Sequence, residues 1–161
     1  MIRIAIATLS TCIVVVVVAS AQTKSYESPN KKLRALIVPV GLQRSEASGS
    51  RIEIRSNTGI VLRRKSLAPA NHDPGQVVDH AEWTSDGRLF VFNSGWSGGH
   101  QPWHSFTYVY SVRRNRFFNL DTTVGAITSD FTLRGDTLVT TRLAPEGGRD
   151  VPVTVRLSRW R

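Results

Sequence analysis

Apolar and polar side chains alternate strictly along several short segments of this chain, and no longer stretch carries helical spacing. In residues 51–56, Ile52 and Ile54 alternate with Arg51, Glu53 and Arg55. In 105–112, Phe106, Tyr108, Tyr110 and Val112 share one face. Val151, Val153, Val155 and Leu157 repeat the pattern against Pro152, Thr154, Arg156 and Ser158. A period of two marks a half-buried strand, because successive Cβ atoms point to opposite sides of a sheet. Residues 32–40 and 88–93 are more continuously apolar and read as buried strands. No window of 11 or more residues combines helical apolar spacing with caps, so an all-β chain is predicted.

Turn chemistry divides these runs. Asn57-Thr58-Gly59 returns the chain as residues 60–62, and Arg113-Arg114-Asn115 returns it as 116–120. Both read as hairpins, since Asn and Gly accept a positive φ at little cost. Arg134-Gly135-Asp136 spells an adhesion tripeptide, but between 130–133 and 137–143 it reads as another turn.

The runs also repeat. Residues 26–31 (Tyr-Glu-Ser-Pro-Asn-Lys) line up with 83–88 (Trp-Thr-Ser-Asp-Gly-Arg) at an offset of 57. After a one-residue gap, an offset of 56 carries Leu33-Arg34-Ala35-Leu36 onto Leu89-Phe90-Val91-Phe92. The same offset takes Ile52-Glu53-Ile54 to Tyr108-Val109-Tyr110, and Thr58-Gly59 to Arg114-Asn115. Two units, about 26–62 and 83–118, are therefore expected within one β domain.

Each unit opens with Ser28-Pro29-Asn30-Lys31 or Ser85-Asp86-Gly87-Arg88 and closes near Asn57-Thr58-Gly59 or Arg114-Asn115. These turns resemble those that open and close the blades of TolB-type β-propellers. Propellers close with typically four or more blades, and residues 22–161 hold at most about three such units. The resemblance thus implies an antiparallel sandwich or open barrel of two to three blade-like hairpin units. The chain also resembles small secreted bacterial proteins with a Ser-Gly-Gly-His-x-Pro-Trp loop, here Ser97 to Trp103, a likeness that supplies no activity.

The first 21 residues change the picture of where the chain works. Arg3 precedes an apolar run from Ile4 to Val18, and Ala19-Ser20-Ala21 offers small residues before Gln22. That layout predicts a secretory signal peptide over 1–21 and a single domain over 22–161. A periplasmic or secreted location follows, with no membrane span after cleavage. The alternative is an uncleaved anchor, since about 20 apolar residues can span a bilayer. Cys12 is the only cysteine and lies within the leader, so the domain is expected to rest on its core without disulfides.

Charge supplies the next clue. The chain carries 21 basic and 12 acidic residues, net +9, and Arg3 is the one charge that the leader holds. A basic surface favours anionic partners such as lipopolysaccharide, wall polymers or extracellular nucleic acid. Sequence-specific nucleic-acid recognition is not expected. The charges are scattered, with tight clusters only at Arg63-Arg64-Lys65 and Arg113-Arg114-Asn115-Arg116, both placed at strand ends or turns.

Residues 93–104 form the most unusual segment. Gly95-Trp96-Ser97-Gly98-Gly99 matches Gly-x-Ser-x-Gly, yet no helix follows to make a nucleophile elbow. His100 and His104 lie four apart in a looped segment with no cysteine nearby, so no metal site is expected. No cofactor is implied. Trp96, His100, Trp103 and His104 are the candidate ligand-binding residues, with the glycines giving a ligand close access. The competing reading packs both tryptophans as a plug at one end of the fold.

The expected function is a non-enzymatic envelope module that binds an anionic polymer, a glycan or a protein through loops at one end. No residue is assigned a catalytic role. A small hydrolase is the alternative, and clustering of His80, His100 or His104 with Asp79 or Glu82 would favour it. An inhibitor of a wall-degrading enzyme is a third reading, weakened because +8 on the domain would oppose a basic target.

Overall fold

The computed structural model describes residues 22–43, 46–69, 75–97, 104–144 and 149–161, without the side chains of 42, 43, 46 and 47. The expected leader, His72, His100 and Trp103 lie outside the described residues. The described residues form three antiparallel sheets in sequence order and no closed barrel. The first is a meander of β1 (Lys24–Glu27), β2 (Leu33–Gln43), β3 (Glu46–Ser56) and β4 (Val61–Ser66). The second repeats it with β5 (Gln76–Trp83), β6 (Leu89–Trp96), β7 (Phe106–Ser111) and β8 (Arg116–Asn119). The third holds β9 (Thr132–Arg134), β10 (Thr137–Arg142) and β11 (Val151–Arg156). Among the described residues, helix is confined to one turn, α1 (Asp121–Val124), and a 3₁₀ helix (Leu157–Trp160). The all-β expectation holds.

Two cores stack the sheets as three layers. Ala35, Ile37, Ile52 and Ile54 of the first sheet meet Phe90, Phe92, Tyr108 and Tyr110 of the second. The other face of the second sheet, Leu89, Val91 and Val109, meets Ile127, Phe131, Leu138, Val155, Leu157 and Trp160. The second sheet is buried on both sides, which is why residues 89–92 are apolar at every position. β2 is equally apolar but buries one face only: Leu36 and Val38 are half-buried on the outer side.

Hydrogen bonds correct the expected repeat register. Ser28 N donates to Leu33 O, Leu33 N to Ser28 Oγ, and Lys32 N to Asn30 Oδ1. Thr84, Leu89, Arg88 and Asp86 make the same three bonds. Ser28 therefore matches Thr84, at an offset of 56 from the first turn onward, with no gap. The left-handed residues agree: Lys31 has φ 57° and Gly87 has φ 65°. The offset of 57 came from aligning Tyr26 with Trp83, which instead touch, Trp83 Nε1 donating to Tyr26 O at 3.0 Å. On the next strand the offset is 55, because Ala35 pairs with Ile54 where Val91 pairs with Val109. Ile52 and Ile54 thus do not match Tyr108 and Tyr110, whose side chains lie on the opposite face of their sheet.

The opening and closing turns of all three sheets gather at one end. Asn57 N bonds Lys32 O, Val112 N bonds Arg88 O, and Leu157 N bonds Asp136 O. The end of β6 and the start of β7, where their connection leaves the described residues, lie at the other end. The Arg134-Gly135-Asp136 turn is confirmed as the β9–β10 hairpin, with Gly135 at φ 62°.

Candidate functional site

The connection end carries the described part of the expected loop. Trp96 closes β6, half-buried, its ring set edge-on to Phe106 at 5.1 Å. His104 lies 4.1 Å from the same Phe106 ring and faces Asp121, Nε2 to Oδ2 at 3.2 Å. Asp121 sits at the start of α1, its side chain only 10% exposed, and its Oδ1 makes no hydrogen bond among the described residues. Burial pushes its carboxyl up to about 6, against the pull of His104 and a backbone bond from Thr107. Ser97 Oγ donates to Ser48 O at 2.8 Å, so this serine bridges toward the first sheet. Phe106 thus brings Trp96 and His104 together.

A second polar cluster locks sheet two to sheet three. Between Val78 and His80 the β5–β6 register shifts, leaving Asp79 as the extra residue of a bulge. His80 then faces the third sheet: its Nδ1 lies 2.7 Å from Asp130 Oδ1 and its ring stacks on Phe131 at 4.6 Å. Buried Asn93 donates to Asp130 Oδ1 and accepts from His80 N. Burial raises the pKa of Asp79, and Asp130 raises it further. Glu82 Oε1 accepts from Leu133 N. The carboxylate that His80 meets is Asp130 rather than Asp79 or Glu82, and among the described residues no three His, Cys, Asp or Glu side chains are placed to hold a metal.

The outer face of the first sheet holds Glu53, 2% exposed on an otherwise open surface. Arg51 Nε and Arg64 Nε donate to its Oε1, and Arg55 Nε to its Oε2. The arginines roof it over, and their hydrogen bonds and charges, Arg55 foremost, hold its carboxyl below the usual range. Arg51-x-Glu53-x-Arg55 was the sequence sign of this arrangement, because alternate residues share a face.

The turn end is where the positive charge concentrates. Sequence reading scattered it, but the fold joins the clusters. Asn115 Nδ2 donates to Leu62 O beside Arg63, and Arg114 Nη2 donates to Arg159 O. Arg63-Arg64-Lys65 falls within β4 rather than at a strand end, with Lys65 Nζ over the Tyr108 ring. A groove of about 390 Å³ runs along β8 and the 3₁₀ helix, lined by Arg114, Arg116, Phe118, Asn119, Arg159 and Trp160 among others. Arg114 and Arg116 lie over Phe118, and Arg159 over Trp160. None of these three arginines has a carboxylate within 4.0 Å among the described residues. A second hollow of about 260 Å³ adjoins Arg88, Arg113 and Arg161. Arg159 and Trp160 were missed in the sequence because they lie 45 residues from Arg114, and only the third sheet brings them back.

No family model and no curated protein matches the chain. Among solved structures it is similar to a protein of Clostridium novyi NT, provisionally described as a conserved lipoprotein. That pair is 13% identical with a TM-score of 0.53, covering 86% of this chain and 89% of the other. A structure from a study of two prolyl endopeptidases matches with TM-score 0.50 and 12% identity, over 83% of this chain and 19% of that one. TolB from Acinetobacter baumannii matches with TM-score 0.45 and 14% identity, over 86% and 30%. The likeness is one of β fold. Among the described residues no helix is long and apolar enough to cross a membrane.

Proposed function

We propose that the chain is an exported, non-enzymatic module that binds an anionic polymer of the cell envelope, built from blade-like units akin to those of TolB-type propellers. One observation carries this reading: Arg114, Arg116 and Arg159, none with a carboxylate within 4.0 Å among the described residues, converge on a groove at the cationic end. Guanidinium groups laid over aromatic rings are held in place and keep their outer N–H donors for phosphate, sulfate or carboxylate oxygens. The arginines at this end lie about a strand's length from Trp96, roughly 23 Å at 3.3 Å per residue over β6, while the groove's far side reaches Thr122 and Thr123 of α1, next to the Asp121 that faces His104. The arginines and Trp96, joined in the sequence-based expectation, therefore lie at different ends of the second sheet, and the charge carries the proposal.

Retention on immobilised polyphosphate at increasing salt tests it. Affinity should fall steeply with salt, because each neutralised charge releases counterions. The Arg114→Ala/Arg116→Ala/Arg159→Ala variant should lower the slope of log affinity against log salt by about 3, roughly 0.9 per contact. A parent slope near zero, or a variant slope equal to the parent's, would sink the reading.

A further inference from the structure

The β3–β4 hairpin has a feature that polymer binding leaves unused. Three large hydrophobic side chains are strongly exposed among the described residues, and two of them, Ile60 (64%) and Leu62 (40%), are neighbours on this hairpin. The hairpin projects: a Cβ built on Gly59 would meet no atom within 4 Å. Several of its polar groups are already satisfied. Gly59 N donates to Ser56 O, Ile60 N to Ser56 Oγ, Ser56 N to Ile60 O, and Ser56 Oγ pairs with Thr58 Oγ1. Leu62 O accepts from Asn115. Such a tip loses water without orphaning these backbone and hydroxyl groups, whose loss would otherwise oppose transfer into an apolar phase.

Cations surround it. Arg63 and Arg64 follow directly and are exposed, Arg64 and the half-exposed Arg55 also holding Glu53, and Asn57 N binds Lys32 O, which puts the exposed Lys31-Lys32 turn alongside. Asn115 brings the Arg113-Arg114 turn to the same edge. We infer that this hairpin is a peripheral docking point for an anionic lipid surface, with Ile60 and Leu62 entering the acyl boundary and the basic side chains meeting headgroup phosphates. A polymer offers charge but no apolar phase for a projecting aliphatic pair, whereas a bilayer presents both in the order the tip requires.

Co-sedimentation of the chain over 22–161 with vesicles tests this, using phosphatidylglycerol–phosphatidylcholine mixtures against pure phosphatidylcholine. The parent should bind the anionic vesicles and release them as salt rises. Ile60→Ser/Leu62→Ser should bind them about 10- to 100-fold more weakly, the partition expected for withdrawing two partly exposed aliphatic side chains. Its polyphosphate retention and its unfolding midpoint in urea should match the parent's. Absence of parent binding to anionic vesicles, or parent-like binding by the double variant, overturns the docking point. Either result leaves the polymer reading standing, since that is read from the groove arginines alone.

Discussion

Lys31 and Gly87 occupy the same turn position with left-handed backbones, φ 57° and 65°, but only one of them is glycine. An L side chain in that region costs about 1–2 kcal/mol, and Lys31 already bears this cost. A Cβ at Gly87 would also approach Asn30 Nδ2 to 3.2 Å. Gly87→Ala should therefore lower unfolding stability in urea by about 1–2 kcal/mol, while Lys31→Ala should stay within about 0.5 kcal/mol of the parent. Equal effects would mean the two turns are not equivalent. The turns themselves were legible in sequence as Ser28-Pro29-Asn30-Lys31 and Ser85-Asp86-Gly87-Arg88, though the bonding role of Thr84 was not. Their register was not, because Tyr26 and Trp83 look alike but are contact partners rather than counterparts.

Two carboxylates at this scale give opposite pH effects. Asp121, raised to about 6 from 3.8, stabilises the fold fully below 3.8, and that contribution is lost as pH rises through 6. Glu53, lowered from 4.5, stabilises the fold above 4.5 and loses that contribution as pH falls through its folded value. Asp121→Asn should flatten the stability profile between about pH 4 and 6, and Glu53→Gln should flatten its acid limb. Urea midpoints measured across pH decide both. An unchanged slope in either variant would show that the group does not titrate as described.

Elements with unbroken alternation were readable from sequence, and β3, β7 and β11 emerged near their expected places. β5 was missed for a physical reason. Its inward residues are Val78, Ala81 and Trp83, and the extra residue Asp79 stretches the first interval to three positions, which hides a period of two. The bulge earns its place through Asn93, which binds His80 N at 2.9 Å and Asp130 Oδ1 at 3.1 Å. Asn93→Ala would remove a side chain that is 2% exposed, leave the His80 N–H without this partner and release the segment that leads into β9. Its expected cost is about 2–4 kcal/mol, the range for breaking a buried hydrogen-bond network, read as a fall in the urea midpoint. A change below about 1 kcal/mol would show that water replaces the amide without loss.

At the scale of the molecule, what sequence could not supply was which sheet stands in the middle. Residues 33–40 and 89–93 look equally apolar, yet β2 covers one neighbour and β6 covers two. The candidate site was legible to the same limited degree: the residue types at the cationic end were visible, but their convergence depends on three sheets placing their turns together. Outward faces end the stack with Arg34, Arg51, Arg55 and Arg64 on one side and Thr132, Thr137 and Thr154 on the other. The middle sheet has no such face to offer solvent. Removing 121–161 would expose Leu89, Val91, Val109 and Leu120, each fully buried now. At about 1.5–3 kcal/mol per side chain the loss is about 6–12 kcal/mol, as large as the roughly 5–15 kcal/mol by which a whole domain is stable. A chain of residues 22–120 should therefore show no cooperative urea transition and should bind a hydrophobic dye, whereas residues 22–161 should unfold in one step. A cooperative transition in the shorter chain would mean that the first two sheets stand alone and the third is an addition to a complete fold.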